Sequence, residues 1–112
     1  MSDLLLQHCV PQAKGSPALT SQKIMKLHTA VQAWQLLDNN QAIEREFKFK
    51  NYYETLAFVN AVAWIAHQQD HHPDMSVSYN RCRVRYHTHS VAGLSLNDFI
   101  CAAMIDALIK QT

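Results

Sequence analysis

The 112-residue chain predicts an α+β two-layer sandwich, with a four-stranded antiparallel sheet built from two hairpins and three helices packed on one face. Three observations carry this expectation. Two stretches alternate apolar and charged residues at period 2, as half-buried strands do. Other stretches space their apolar residues at helical intervals. The order helix, two strands, helix, two strands, helix then lays two hairpins under one helical layer.

Residues 1–19 hold Pro11, Gly15 and Pro17 and read as an irregular N-terminal arm, with a short turn near Leu4–Gln7. The single domain occupies 20–112. Thr20 or Ser21 can cap a first helix whose Ile24, Leu27 and Val31 share a face, ending near Trp34. Trp34–Asp38 and Ala42–Lys50 read as strands around an Asn39-Asn40 turn. In the second strand Ile43, Arg45, Phe47 and Phe49 alternate with Glu44, Glu46, Lys48 and Lys50, so one face is wet. Asn51 with Glu54 makes a capping-box start for a helix over Tyr52–Gln69, with Leu56, Val59, Val62, Ala63 and Ala66 as its buried stripe. Pro73 disfavours the α conformation at His72 and ends that helix before the histidine pair. A second hairpin covers Met75–Tyr79 and Arg83–Thr88. Ser95-x-x-Asp98 then opens a last helix, Leu96–Lys110, that is apolar on almost every face. So greasy a helix predicts a subunit interface, and hence a homodimer or homotetramer.

Composition narrows the function. Apolar residues make up 48% and charged residues 17%, a globular balance, and the net charge of +1 argues against nucleic-acid or membrane-surface binding. Arg81, Arg83 and Arg85 on one strand read as a solvated face. Cys9, Cys82 and Cys101 form an odd, widely spaced set that suits a reducing cytosol. No segment has the character of a secretory signal or of a span of ~20 apolar residues, so a cytoplasmic protein is expected.

Chemistry concentrates in the histidines. Five of the seven fall between positions 67 and 89. Imidazole exchanges protons near neutral pH, its unperturbed pKa being about 6.5. His8 and His28, isolated, read as surface or satisfied core groups. His67 and His71, four apart, could serve as zinc ligands with help from His87-x-His89. No HExxH, no cysteine at ligand spacing and no acidic calcium loop accompanies them, so no metal is assigned. Asp98 has a structural reading as the N3 residue of a capping box, and Trp34 as a core residue.

The spaced pattern of these residues resembles the pterin-4a-carbinolamine dehydratase family. It runs His67, three residues, His71-His72-Pro73, five residues, Tyr79, nine residues, His89, eight residues, Asp98. Thr88-His89 followed by Ala92-Gly93-Leu94-Ser95 looks like the family's THxxxGLS/T segment, and Trp34 with Phe47-Lys48-Phe49-Lys50-Asn51-Tyr52 like its upstream stretch. His67, Met75 and Ser90 depart from residues common in the family, and the arm 1–19 lies outside the resemblance. The resemblance implies loss of water from a 4a-hydroxytetrahydropterin, with the pterin as substrate and no cofactor or metal. It implies His71 and His89 as the acid/base pair and His72 as the group contacting the substrate and its hydroxyl. Asp98 would orient or polarise an imidazole, Asp70 or His67 would tune the tautomer of His71, and Trp34 would border the pterin site. The implied setting is cofactor recycling beside an aromatic amino acid hydroxylase. Some family members also act as dimerisation cofactors of a transcription factor, the alternative class of function.

Overall fold

The computed structural model describes residues 2–110. After a 3-10 turn at Ser2–Leu6 come α1 (Ser21–His28), β1 (Gln35–Leu37), β2 (Ala42–Lys48), α2 (Tyr52–Gln69), β3 (Asp74–Val77), β4 (Arg81–Tyr86) and α3 (Leu96–Lys110). The strands form one antiparallel sheet in the order β1-β2-β4-β3, the expected pair of hairpins joined through β2 and β4.

Register gathers the large apolar side chains of the central pair on one face. Ile43 stands opposite Tyr86 and Phe47 opposite Cys82, and these four with Val84 are buried. The other face pairs Glu44 with Arg85 and Glu46 with Arg83 across the strands. Arg83 also lies 3.8 Å from Glu44 and Arg81 3.9 Å from Glu46, while Arg85 bonds Asp38. The arginine stripe is thus met by a carboxylate stripe, which cancels its field. The β1–β2 turn holds three consecutive left-handed residues, Asp38, Asn39 and Asn40, the residue types that tolerate that conformation.

Local capping chemistry sets the helix starts. Thr20 accepts the Lys23 N–H, and Asn51 accepts the Glu54 N–H at 2.9 Å. Glu54 reaches back to the Lys50 N–H, one residue beyond the expected partner. Two expectations need correction. α1 ends at His28, well short of Trp34, because residues 29–34 wind in i→i+3 turns. The His28 Nε2–H closes that segment on the Trp34 carbonyl at 2.6 Å. The buried stripe of α2 is Thr55, Phe58, Val62 and Ala66; Leu56 and Val59 are only half-buried and Ala63 is exposed. Phe58 turns the helix by packing on Phe47 and Phe49, with ring centroids 4.6 and 5.0 Å away.

α3 also departs from expectation. Phe99, Ile100, Cys101, Ala102 and Ile105 are each at most 1% exposed within a single chain. The arm supplies part of the cover: Leu4 is 3% exposed in the same core, and Leu19 N–H bonds the Leu94 carbonyl. A Cβ at Gly93 would come within 3.0 Å of the Ala18 Cβ, so glycine there lets the arm lie close. Phe99 and Ile105 are therefore core residues and unavailable to a subunit contact. Large exposed aromatics sit on α2, at Tyr53 (79%) and Trp64 (60%), and in the β3–β4 turn, at Tyr79 (64%). Among the described residues no helix is long and apolar enough to cross a membrane.

Candidate active site

The end of α2 is the first construction of the site. Asp70 takes a left-handed conformation, its N–H bonds the His67 carbonyl, and the His71 N–H bonds the Ala66 carbonyl. That pair of bonds is a Schellman turn, with aspartate standing where glycine is commonest. The chain leaves it extended because Pro73 follows. His71 is thereby turned inward, and its carbonyl is held by the Tyr86 hydroxyl at 3.1 Å. The two rings stack at 5.2 Å and 22°.

The second construction is the start of α3. Asp98 is fully buried and accepts bonds from three separate segments. Oδ1 accepts the His71 Nε2–H at 2.6 Å, and Oδ2 accepts the Thr88 hydroxyl at 2.7 Å and the Ser95 N–H at 3.0 Å. Because the Thr88 proton points to Asp98, the Ser95 hydroxyl, 2.6 Å away, donates to Thr88 and accepts the Asn97 N–H. The capping box and the contact to histidine are thus the same carboxylate seen from two sides.

Hydrogen bonding fixes two tautomers. A carboxylate can only accept, so His71 carries its proton on Nε2, and Nδ1 is left to exchange protons with the cleft. His72 Nδ1 donates to the Pro73 carbonyl at 3.3 Å, leaving its Nε2 as acceptor. Burial alone would depress the His71 pKa, but the Asp98 hydrogen bond and charge, with smaller help from Cys101 and Asp70, outweigh it. The net shift is upward from 6.5.

These groups line an open cleft of about 890 Å³, inside the ~300–1,000 Å³ usual for small-molecule sites. His71, His72, His87 and His89 all face it, as does Asp70. His89 begins a single 3-10 turn, His89–Val91, and its exposed ring packs 5.8 Å from that of His87. Two expected site residues lie elsewhere. The αL residue Asp70 breaks the helical relation between His67 and His71, and the exposed His67 ring lies 5.4 Å from Trp64 instead. Trp34 is fully buried, gives its indole N–H to Asp106 at 2.8 Å, and packs on Phe47 and Tyr86. It supports Tyr86, which supports His71, and does not border the cleft.

Sequence reasoning also missed several contributors. Thr88 and Ser95 hold Asp98, and Tyr86 floors His71. The arm residues Cys9, Val10, Pro11 and Gln12 form a cleft wall. Cys9 Sγ lies 3.6 Å from Cys101 Sγ, placing the arm against α3. The Ser95-x-x-Asp98 box signalled one of these residues; the arm's composition signalled none. Among the described residues no three His, Cys, Asp or Glu side chains converge as metal ligands.

The raised His71 pKa has a thermodynamic consequence of definite sign. A group that binds its proton more tightly when folded adds stability that is full below its unfolded value of 6.5 and lost as pH rises through the folded value. Urea unfolding from pH 6.5 upward should therefore show wild-type stability falling relative to His71→Gln. Parallel curves for the two proteins over that range would contradict the pairing.

Comparison with known proteins agrees with this architecture. Residues 17–108 match the family model described as pterin 4 alpha carbinolamine dehydratase. A protein of Nitrosomonas eutropha, provisionally named a pterin-4-alpha-carbinolamine dehydratase, is 56% identical over 96% of this chain and 94% of its own length. One of Nitrosospira multiformis with the same provisional name is 50% identical over 98% and 96%. A crystal structure of a transcriptional coactivator/pterin dehydratase from Brucella melitensis superposes with a TM-score of 0.77 at 34% identity, covering 81% of this chain and 97% of that one. A pterin dehydratase-like protein identified as a RuBisCO assembly factor in the alpha-carboxysome shares the fold alone, at 21% identity and a TM-score of 0.60 over 68% of this chain and 88% of that one. With its family model spanning most of the domain and relatives aligned end to end, this chain belongs to the pterin 4 alpha carbinolamine dehydratase family.

Proposed function

We propose that the protein dehydrates a 4a-hydroxytetrahydropterin to the quinonoid dihydropterin, by histidine acid/base catalysis. The observation that carries this is one cleft faced by His71, His72 and His89, with His71 paired to a buried carboxylate. In the reaction the C4a–OH bond breaks as a proton reaches the hydroxyl, the N5 proton goes to a base, and N5=C4a forms as water leaves. His71 is the acid in this scheme. Asp98 favours its protonated form, and the proton it can give is on Nδ1, facing the cleft. His89, exposed at the rim, is the base that takes the N5 proton. His72, with Nε2 as a free acceptor, contacts the substrate and its hydroxyl. Asp70 serves chiefly as the left-handed turn residue that aims His71. N5 itself pushes electrons toward C4a, so the scheme uses no metal or cofactor. The setting we propose is cytoplasmic recycling of the pterin used by an aromatic amino acid hydroxylase.

The His71→Ala/His89→Ala double variant should lose the catalysed rate, each proton transfer contributing roughly 10²–10⁴-fold. Stopped-flow turnover of freshly generated 4a-hydroxytetrahydropterin measures it. Wild-type turnover in the double variant would sink the scheme, and so would a stoichiometric metal whose removal by chelation abolishes activity.

A second reading, self-association as a homodimer or homotetramer, draws on the exposed Tyr53 and Trp64 along α2. Tyrosine and tryptophan are enriched at protein contact surfaces relative to the rest of a protein surface. The same face would serve the dimerisation-cofactor role. Sedimentation analysis should find the wild type larger than one chain and Trp64→Glu shifted toward the monomer; a monomeric wild type would refute this reading.

A further inference from the structure

The arm lies outside the histidine pattern, yet it is fastened at the site with more specificity than core packing demands. Two side-chain amides grip consecutive arm residues. Gln69, at the end of α2, accepts the Cys9 N–H on Oε1 at 2.8 Å and lies 3.3 Å from His8 Nδ1 through Nε2. Asn97, at the start of α3 and only 6% exposed, accepts the Val10 N–H on Oδ1 at 3.0 Å and donates from Nδ2 to the Val10 carbonyl at 2.8 Å. Asn97 therefore pairs with Val10 as a neighbouring strand would, satisfying both backbone groups of one residue.

The side chain so held is 62% exposed. Burial does not explain fixing it. Its surroundings do: among the described residues, and apart from the Cys9 thiol, Val10 and Pro11 are the only non-polar side chains on a cleft otherwise lined by histidines, carboxylates, amides and hydroxyls. A flat heterocycle bound there finds hydrogen-bonding groups on the histidine side and an aliphatic surface only on the arm. The anchors sit where they control registration. Gln69 is two residues before His71 and Asn97 one before Asp98, so the corners that build the proton-transfer pair also set the arm against it.

We propose that Val10 and Pro11 form the apolar wall on which the planar substrate ring lies, and that Asn97 and Gln69 are positioning residues for that wall. This rests on the reading of the cleft as a pterin site and adds the element that gives the ring its non-polar contact.

Steady-state dehydration by Val10→Ser and Asn97→Ala tests it, with the rate of Cys9 modification by a thiol reagent reporting arm docking. Val10→Ser should raise KM about tenfold, the loss of much of one buried valine's contact, while kcat stays within about twofold. Asn97→Ala should raise KM at least as much, speed Cys9 modification, and leave the pH profile of kcat in place, because His71 and Asp98 keep their contact. KM unmoved in both variants of an active enzyme would overturn the arm's role alone. So would a fall in kcat with a displaced pH profile, which would mean that Asn97 acts through Asp98. A wild-type protein with no turnover would instead overturn the reading of the cleft on which the arm's role rests.

Discussion

A fully buried carboxylate, Asp98, is the constraint on which the rest of this structure depends. Taking a charge out of water costs several kcal/mol, and only well-placed donors offset it. Here the donors come from three parts of the chain: His71 beyond α2, Thr88 beyond β4, and the Ser95 backbone before α3. None is adjacent to another in sequence, so the carboxylate is satisfied only when all three segments meet. The fold is what brings them together, and once they meet the carboxylate holds them.

The same interaction determines what His71 can do. Its Nε2–H is committed to Asp98, its ring lies on Tyr86, and its carbonyl is tied to the Tyr86 hydroxyl. Neither rotation nor tautomer exchange is left to it, and the nearby negative charge keeps its proton bound more tightly than in a free imidazole. Rigid support of this kind is what a proton donor needs, since a group held in place pays no reorganisation when the reaction occurs. His72 and His89 are held more lightly, as suits groups that meet a substrate from the rim.

Much of this was legible in the sequence wherever the governing chemistry is local. The bounds of α2 follow from Asn51, Glu54 and Pro73, and those of α3 from Ser95 and Asp98, because caps and proline act within a few residues. The strand pairs followed from period-2 alternation. What was not legible depends on distant partners. Trp34 reads as core from its residue type and as a site residue only from the resemblance; the fold buries it, and Asp106, 72 residues on, takes its indole N–H. His67 shares a helical face with His71 only if the helix continues, and a single left-handed residue at Asp70 removes it. One face of α3 is covered within the chain by the arm and α2, while Met104, Leu108 and Ile109 stay half-buried. The arm itself carries no pattern of its own; its place at the cleft is dictated by Gln69 and Asn97.

The central claim, that Asp98 holds His71 as an Nε2–H imidazole with a tightened proton, is tested most directly by an NMR titration. Long-range proton–nitrogen correlation of labelled histidine reads the tautomer and the pKa of His71 together. Nε2 should stay protonated throughout, with a midpoint above 6.5 that falls in Asp98→Asn. A neutral His71 with its proton on Nδ1, or a midpoint that Asp98→Asn leaves unchanged, would contradict it.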